Sequence, residues 1–348
     1  MSLARLAASA AERAPLPDAV ARFGVGRLVE RTRRKLDAER TDEGLFTREM
    51  ARRPIALAPD VANRQHYELP AAFFELILGP RRKYSSCLYE PGSTLAEAED
   101  AALAATCAHA AIADGQDILE LGCGWGSLSL WLAERHPASR IVAVSNSARQ
   151  RAFIEAEAER RGLANLRVTT ADMNDFAIET KFDRIVSVEM FEHMSNWRAL
   201  LTRVRGWLKP DGRLFLHVFT HRTRPYAFDV ADAADWIAQH FFAGGIMPSH
   251  GLIRRFGDLF EVEAEWRWSG EHYRRTALAW LANYDRHGPA IAHILRGVYG
   301  RDWRLWRRRW RLFFLATAGL FGAEAGEVWG VSHYRLRAAP DPATVGIR

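Results

Sequence analysis

The sequence predicts an α/β fold: a parallel sheet with helices on both faces, an N-terminal helical segment and a helical cap. Three observations carry this. Short apolar runs that read as buried strands alternate with helical stretches over residues 117–219, a glycine-rich loop follows the first run, and aromatic helix-like sequence fills the C-terminal third. The 348 residues suffice for about two domains, and 48% apolar residues supply a large core, which excludes a disordered or fibrous chain.

Taken in order, residues 1–60 read as a mostly helical extension, with 29–53 a polar, Arg-rich helix face and linker. Residues 61–115 read as a helical lid, in which Thr94 and Glu97 make a capping box that starts a helix near Leu95. Residues 116–220 form the core, with strands at 117–121, 140–144, 166–170, 182–188 and 213–219. Helices fall at 127–134, at 148–161 and around 197–207, and Lys209-Pro-Asp-Gly212 is a turn before the fifth strand. Residues 221–326 are a mostly helical cap that contains a strand at 259–268, and residues 327–348 are a final strand and tail.

Composition narrows the function classes. The apolar run at 312–321 is about half of what spans a bilayer, so no transmembrane helix is expected. The N-terminus is a poor secretory signal. Three cysteines (Cys87, Cys107, Cys123) make neither a disulfide framework nor a zinc site, and no metal is expected; a reducing cytoplasm fits best. Only four of the 48 basic residues are lysines, a bias that points to a GC-rich genome rather than to a nucleic-acid partner. Many of the 12 tryptophans fall after position 190 and point to an aromatic-walled cavity.

The loop Glu120-Leu-Gly122-Cys-Gly124-Trp-Gly126 joins the first strand to its helix, where glycines let the backbone approach a ligand. It is GxGxG rather than the dinucleotide GxGxxG, and the end of the second strand carries Ser145-Asn146-Ser147 instead of an acid. This pattern, with Asp172 past the third strand, resembles motif I of S-adenosylmethionine-dependent methyltransferases, in which an acid such as Glu120 suits a cationic ligand. Ser187-Val-Glu-Met-Phe-Glu-His-Met194 resembles the signature of the cyclopropane-fatty-acid-synthase superfamily, and within it the coclaurine N-methyltransferase type. The resemblance runs from His66 to Leu336 through His66-Tyr-Glu-Leu-Pro70, Lys83-Tyr-Ser-Ser-Cys87, Phe241-Phe-Ala-Gly-Gly-Ile-Met-Pro-Ser249, and His272-Tyr273 with Thr276 and Trp280. It implies a class I Rossmann-like methyltransferase sheet. The Arg-heavy composition argues for a bacterial relative rather than a plant enzyme, so the acceptor does not transfer with the resemblance.

By this resemblance Tyr84 and Ser85 close over the methionine part of the cofactor, Gly122, Gly124 and Gly126 form its floor, Ser145, Asn146 and Gln150 lie by the ribose, and Asp172 and Met173 lie by the adenine. It also sets Tyr67, Glu68, Glu189, Glu192 and His193 around the acceptor. S-adenosylmethionine is the implied cofactor and S-adenosylhomocysteine its product. The chemistry asks for such residues: an ammonium must be attracted by a carboxylate and must lose its proton, which an imidazole near pKa ~6.5 can take. Glu192 with His193 is the expected pair, and Glu189, three residues before Glu192, shares its face if the turn is helical.

The implied partners are a small aromatic or hydrophobic amine or, as the alternative, an unsaturated acyl chain, with no nucleic acid, at most peripheral membrane contact, and homodimerisation left open. Cyclopropane synthases, by the same resemblance, hold bicarbonate as a base through a cysteine, a glutamate, a histidine and a tyrosine. Glu192, His217 and Tyr273 match three of these, but Ser86 replaces the cysteine. The helix with Trp303, Trp306, Trp310, Phe313 and Phe314 on one side reads as a cap whose aromatic stripe packs inward and whose arginines are solvated.

Overall fold

The computed structural model describes residues 12, 16–39, 41–57, 69–232 and 235–340. Seven strands form one sheet in the order β3-β2-β1-β4-β5-β9-β8. These are β1 (Asp117–Leu121), β2 (Arg140–Ser145), β3 (Leu166–Thr170), β4 (Phe182–Val188), β5 (Leu208–His221), β8 (Phe260–Ser269) and β9 (Trp329–Ala338), with β6 (Tyr226–Ala227) and β7 (Ile246–Met247) paired separately. β1 to β5 pair in parallel, whereas β9 runs antiparallel to both β5 and β8. The two late strand-like runs therefore complete the sheet.

Every residue of β1 is buried, as expected for a strand covered on both faces. The order of the strands reverses between β1 and β4, and the crevice at their carboxyl ends is where such sheets take ligands. β5 begins earlier than expected: Lys209–Gly212 belongs to the strand, and a register shift between Phe182 and Arg184 absorbs the irregularity.

The helices follow the sequence except in one stretch. We number them α1 (Asp18–Glu39), α2 (Glu43–Met50), α3 (Ala71–Ile77), α4 (Leu95–His109), α5 (Ser127–Arg135), α6 (Ala148–Arg160), α7 (Trp197–Trp207), α8 (Trp236–His240), α9 (Gly270–Arg286), α10 (Gly288–Tyr299) and α11 (Trp303–Phe321). The stretch 221–258, read as helical, is mostly not: among its described residues it holds β6, α8, β7 and a short 3₁₀ turn at Leu252–Phe256. Pro225, Gly244, Gly245, Pro248 and Gly251 explain the difference, because each interrupts a helix.

The Thr94–Glu97 capping box is present in full, with Glu97 accepting from the Thr94 N–H at 2.8 Å. Thr94→Ala should cost about 1 kcal/mol, read as a lower urea midpoint with an unchanged slope. The aromatic stripe of α11 packs into the cap, with Trp310 and Phe314 fully buried. Its arginines are not simply solvated. Arg309 pairs with Glu12 at 3.0 Å, and Arg311 pairs with Asp18 at 2.6 Å and with Asp285 at 2.8 Å, so the N-terminal segment is ionically tied to the cap. Among the described residues, no helix is long and apolar enough to cross a membrane.

Candidate active site

The glycine loop bends away from β1 with left-handed backbone at Gly122 (φ 80°), Gly124 (φ 53°) and Gly126 (φ 78°). The three glycines do different work. A Cβ at Gly122 would lie 2.6 Å from the Met190 side chain, and one at Gly126 would lie 2.7 Å from Ile154 Cγ1. A Cβ at Gly124 would meet no protein atom within 4 Å and would stand in a cleft of about 760 Å³. Gly122, Gly124, Ser145, Asn146, Gln150, Asp172 and Met173 all line this cleft.

Ser145 donates to Gln150 Oε1 at 2.7 Å, which leaves the buried Gln150 Nε2 with no protein partner. A buried amide without a partner is costly, and a ligand hydroxyl in the cleft would satisfy it. Asp172 Oδ1 accepts from the Asn174 N–H at 2.8 Å, and Asn174 bonds both polar groups of the Ala56 backbone at 3.0 and 3.1 Å. Ala56 thereby joins the wall of the cleft, a contribution that an alanine in an Arg-rich linker does not announce.

Four residues expected at the cofactor are not on the lining of this cleft. Glu120 is buried behind the loop, where its carboxylate accepts from the Ser129 hydroxyl. Gly126 opens α5, its Cβ direction blocked by Ile154. Tyr84 packs on Trp280 and Phe74, with ring centroids 5.4 and 5.3 Å away, and lines a second cavity instead. Ser85 is buried and accepts from the Lys83 ammonium.

Burial lifts the Glu120 carboxyl from its ordinary 4.5 to about 7. The fold prefers its protonated form, so the stability linked to this group is present below the unfolded value and lost as pH rises through 7. Glu120→Gln should melt with the wild type at acid pH and above it on the alkaline side of neutrality, in thermal scans across that range.

The second cavity, about 730 Å³, is walled by Tyr84, Phe219, Phe228, Phe242, Tyr273, Trp280, Phe313 and Phe321. Glu189 and His193 line both cavities and form their shared wall. Glu189 adopts a left-handed backbone (φ 48°) just past β4, a conformation that costs a non-glycine residue roughly 1–2 kcal/mol and here turns its side chain out of the strand direction. Its carboxylate accepts from the Ser86 N–H at 2.9 Å and the Tyr273 hydroxyl at 2.7 Å, and faces His217 Nε2 at 3.2 Å. Burial pushes its pKa up, and the Lys83 ammonium opposes that shift. His193 packs against Phe242, and burial lowers its pKa to about 4, so at neutral pH it is an uncharged imidazole able to accept a proton or a hydrogen bond.

Glu192 is not part of this wall. It lies in the 3₁₀ turn Phe191–His193, fully buried, with Oε1 accepting from the Phe219 N–H at 2.5 Å and Oε2 without a protein partner. Burial and the nearby Glu189 raise its pKa well above the carboxylate range, so it is held as a neutral acid. Of the two glutamates, it is Glu189 that shares the cavity wall with His193. Tyr67 and Glu68 lie outside the described residues.

With the two cavities defined, similarity to known proteins becomes decisive. The model of the mycolic acid cyclopropane synthetase family matches residues 58–329. The chain belongs to this family. It is an S-adenosylmethionine-dependent methyltransferase, and the described cleft residues fit that cofactor. Its relatives divide in identity. The (S)-coclaurine N-methyltransferase of Thalictrum flavum subsp. glaucum is 36% identical over 294 residues, covering 83% of this chain and 81% of that one. The cyclopropane-fatty-acyl-phospholipid synthase of Escherichia coli K12 is 29% identical over 273 residues, covering 78% and 67%. The crystal structure of coclaurine N-methyltransferase bound to N-methylheliamine and S-adenosylhomocysteine superposes with a TM-score of 0.90 at 32% identity, covering 94% of this chain and 98% of that one. When bound, the cofactor supplies an electrophilic methyl group on a sulfonium. For a family member built this way, the chain's own task is to hold an acceptor against the shared wall, exclude water and manage its proton.

Proposed function

We propose that this methyltransferase acts on the nitrogen of a small aromatic or hydrophobic amine. The observation that carries the reading is the position of the Glu189 carboxylate. It is held by the Ser86 N–H and Tyr273 and faces His217, which are neighbours of the kind the resemblance assigns to bicarbonate in the cyclopropane synthases. A base fixed to the chain thus occupies the place of a diffusible one. It also supplies the negative charge that an ammonium seeks, at the mouth of an aromatic cavity suited to a cation and a flat ring. Glu189 attracts the cation and takes its proton, which frees the lone pair for in-line attack.

Labelled cofactor incubated with arylethylamines, tetrahydroisoquinolines and unsaturated phospholipid vesicles tests this. Label on an amine is the expected result, and label confined to lipid would overturn it. Phe313, on the cavity wall and stacked on Phe241, should contribute to acceptor binding rather than to chemistry. Phe313→Ala should raise the KM for an aryl amine roughly fivefold, from an aromatic contact of about 1 kcal/mol, with kcat little changed.

A further inference from the structure

Glu189 does not end at the cavity. Its Oε1 lies 3.2 Å from His217 Nε2; His217 Nδ1 lies 2.9 Å from His333 Nε2; and His333 Nδ1 lies 2.8 Å from His109 Nδ1. The register of the sheet builds this line. Val188 of β4 faces His217 of β5, His217 faces His333 of β9, and His333 faces Trp266 of β8. Facing residues on paired strands share a side of the sheet, so the rings fall in one row. His109, at the end of α4, stacks on Trp266 with centroids 3.8 Å apart and continues the row past the sheet. His217 and His333 are fully buried, and His109 alone of the three is partly exposed.

A structural reason for two buried imidazoles in series with a third at the surface is weak, since apolar side chains would fill the same volume without needing partners. Their surroundings keep them uncharged. Burial first, and then nearby positive charge, holds all three below their ordinary range: Lys83 acts at the inner end, and Arg335, itself 2.7 Å from Glu263, acts at the outer end. A neutral imidazole with both nitrogens in hydrogen bonds has one site to receive a proton and another to release one.

We infer that His217, His333 and His109 form a proton channel through which Glu189 exchanges its proton with solvent beside Trp266, without opening the acceptor cavity. This rests on the amine reading for the origin of the proton. Starting from protonated Glu189, the O–H bond breaks as an N–H forms at His217 Nε2. The His217 Nδ1–H proton passes to His333 Nε2, the His333 Nδ1–H proton passes to His109 Nδ1, and His109 releases the proton on Nε2 to water. Each ring gains one N–H and loses one, so all three stay neutral. The net change is a carboxylate restored at Glu189, one proton delivered to solvent and each ring left in its other tautomer, which rotation of the rings resets before the next turnover. His217 touches the base directly; His333 and His109 act through it.

The test uses the full chain and His109→Phe, which keeps a ring on Trp266 but removes the outer nitrogens. In spectra of protein labelled with ¹⁵N-histidine, the substitution should move the His333 and His217 ring signals, a readout that needs no turnover. In steady state, a strongly basic amine should be methylated roughly tenfold more slowly, below the ~10²-fold loss of a directly acting acid or base, with KM unchanged. A weakly basic aromatic amine, which arrives unprotonated, should keep its rate. His109→Ala should lose the same selectivity and regain it with added imidazole. Unmoved ring signals, or equal losses on both acceptors, would overturn the channel. If the wild type methylates no amine while the ring signals do move, the amine reading fails and the channel stands.

Discussion

Glu189→Gln should lower turnover on a basic amine by roughly 10²–10⁴-fold, the range for loss of a positioned base, and leave cofactor affinity unchanged. The amide keeps the volume of the side chain and can still accept from the Ser86 N–H, so the shared wall keeps its shape. It has no charge to draw an ammonium and no site to hold its proton. Raising the pH should restore part of the rate, because more acceptor then arrives as free amine. Single-turnover assays with labelled cofactor, beside equilibrium binding of S-adenosylhomocysteine, separate these effects. Glu192→Gln should lose less, because that carboxyl is already held neutral and its bond from Phe219 survives in the amide. Equal losses at the two positions, with weakened cofactor binding in both, would mean that the region only supports the fold.

Gly124→Val should weaken cofactor binding by about 10²-fold or more. The backbone at Gly124 is left-handed (φ 53°), which disfavours a β-branched residue most, and its Cβ direction runs into the cleft rather than into protein. Overpacking of about 1–3 kcal/mol adds to that strain, and each 1.4 kcal/mol is tenfold in affinity. Titration calorimetry with S-adenosylhomocysteine measures the loss. Gly126→Ala provides the contrast, since its Cβ would press on Ile154 in the interior. That variant should melt earlier but keep the rise in melting temperature that ligand brings, whereas Gly124→Val, also lowered by its left-handed backbone, should lose that rise.

The parts of this molecule that are local in sequence are the parts a reader of the sequence can find. A buried run, a glycine loop and the helix that follows it declare themselves within about a dozen residues, and so do the capping box at Thr94 and the cleft residues Ser145, Gln150 and Asp172. What depends on one torsion angle or on distant pairing does not. Glu189 and Glu192 look equivalent on the page, and a helical spacing would set them on one face. The left-handed turn at Glu189 sends one carboxylate to the cavities and leaves the other behind the Phe219 amide. His109 and His333 are 224 positions apart, so their contact has no signature in either neighbourhood. The stretch 221–258 mixes apolar and aromatic residues with Pro225, Gly244, Gly245, Pro248 and Gly251, and those breakers decide its structure.

The segment before the family match has a consequence for how much of this chain is the enzyme. Ile55 carbonyl receives the Ser195 N–H at 2.6 Å, Asn196 Nδ2 reaches the carbonyls of Ala51 and Arg53 at 3.3 and 2.8 Å, and Asn174 grips Ala56. These bonds strap residues 51–56 to the start of α7 and set Ala56 on the cleft wall, yet the family model begins only at residue 58. A chain begun at residue 58 would keep every strand and the whole glycine loop and would still look like a methyltransferase, but Ala56 would be gone from the wall of its cleft.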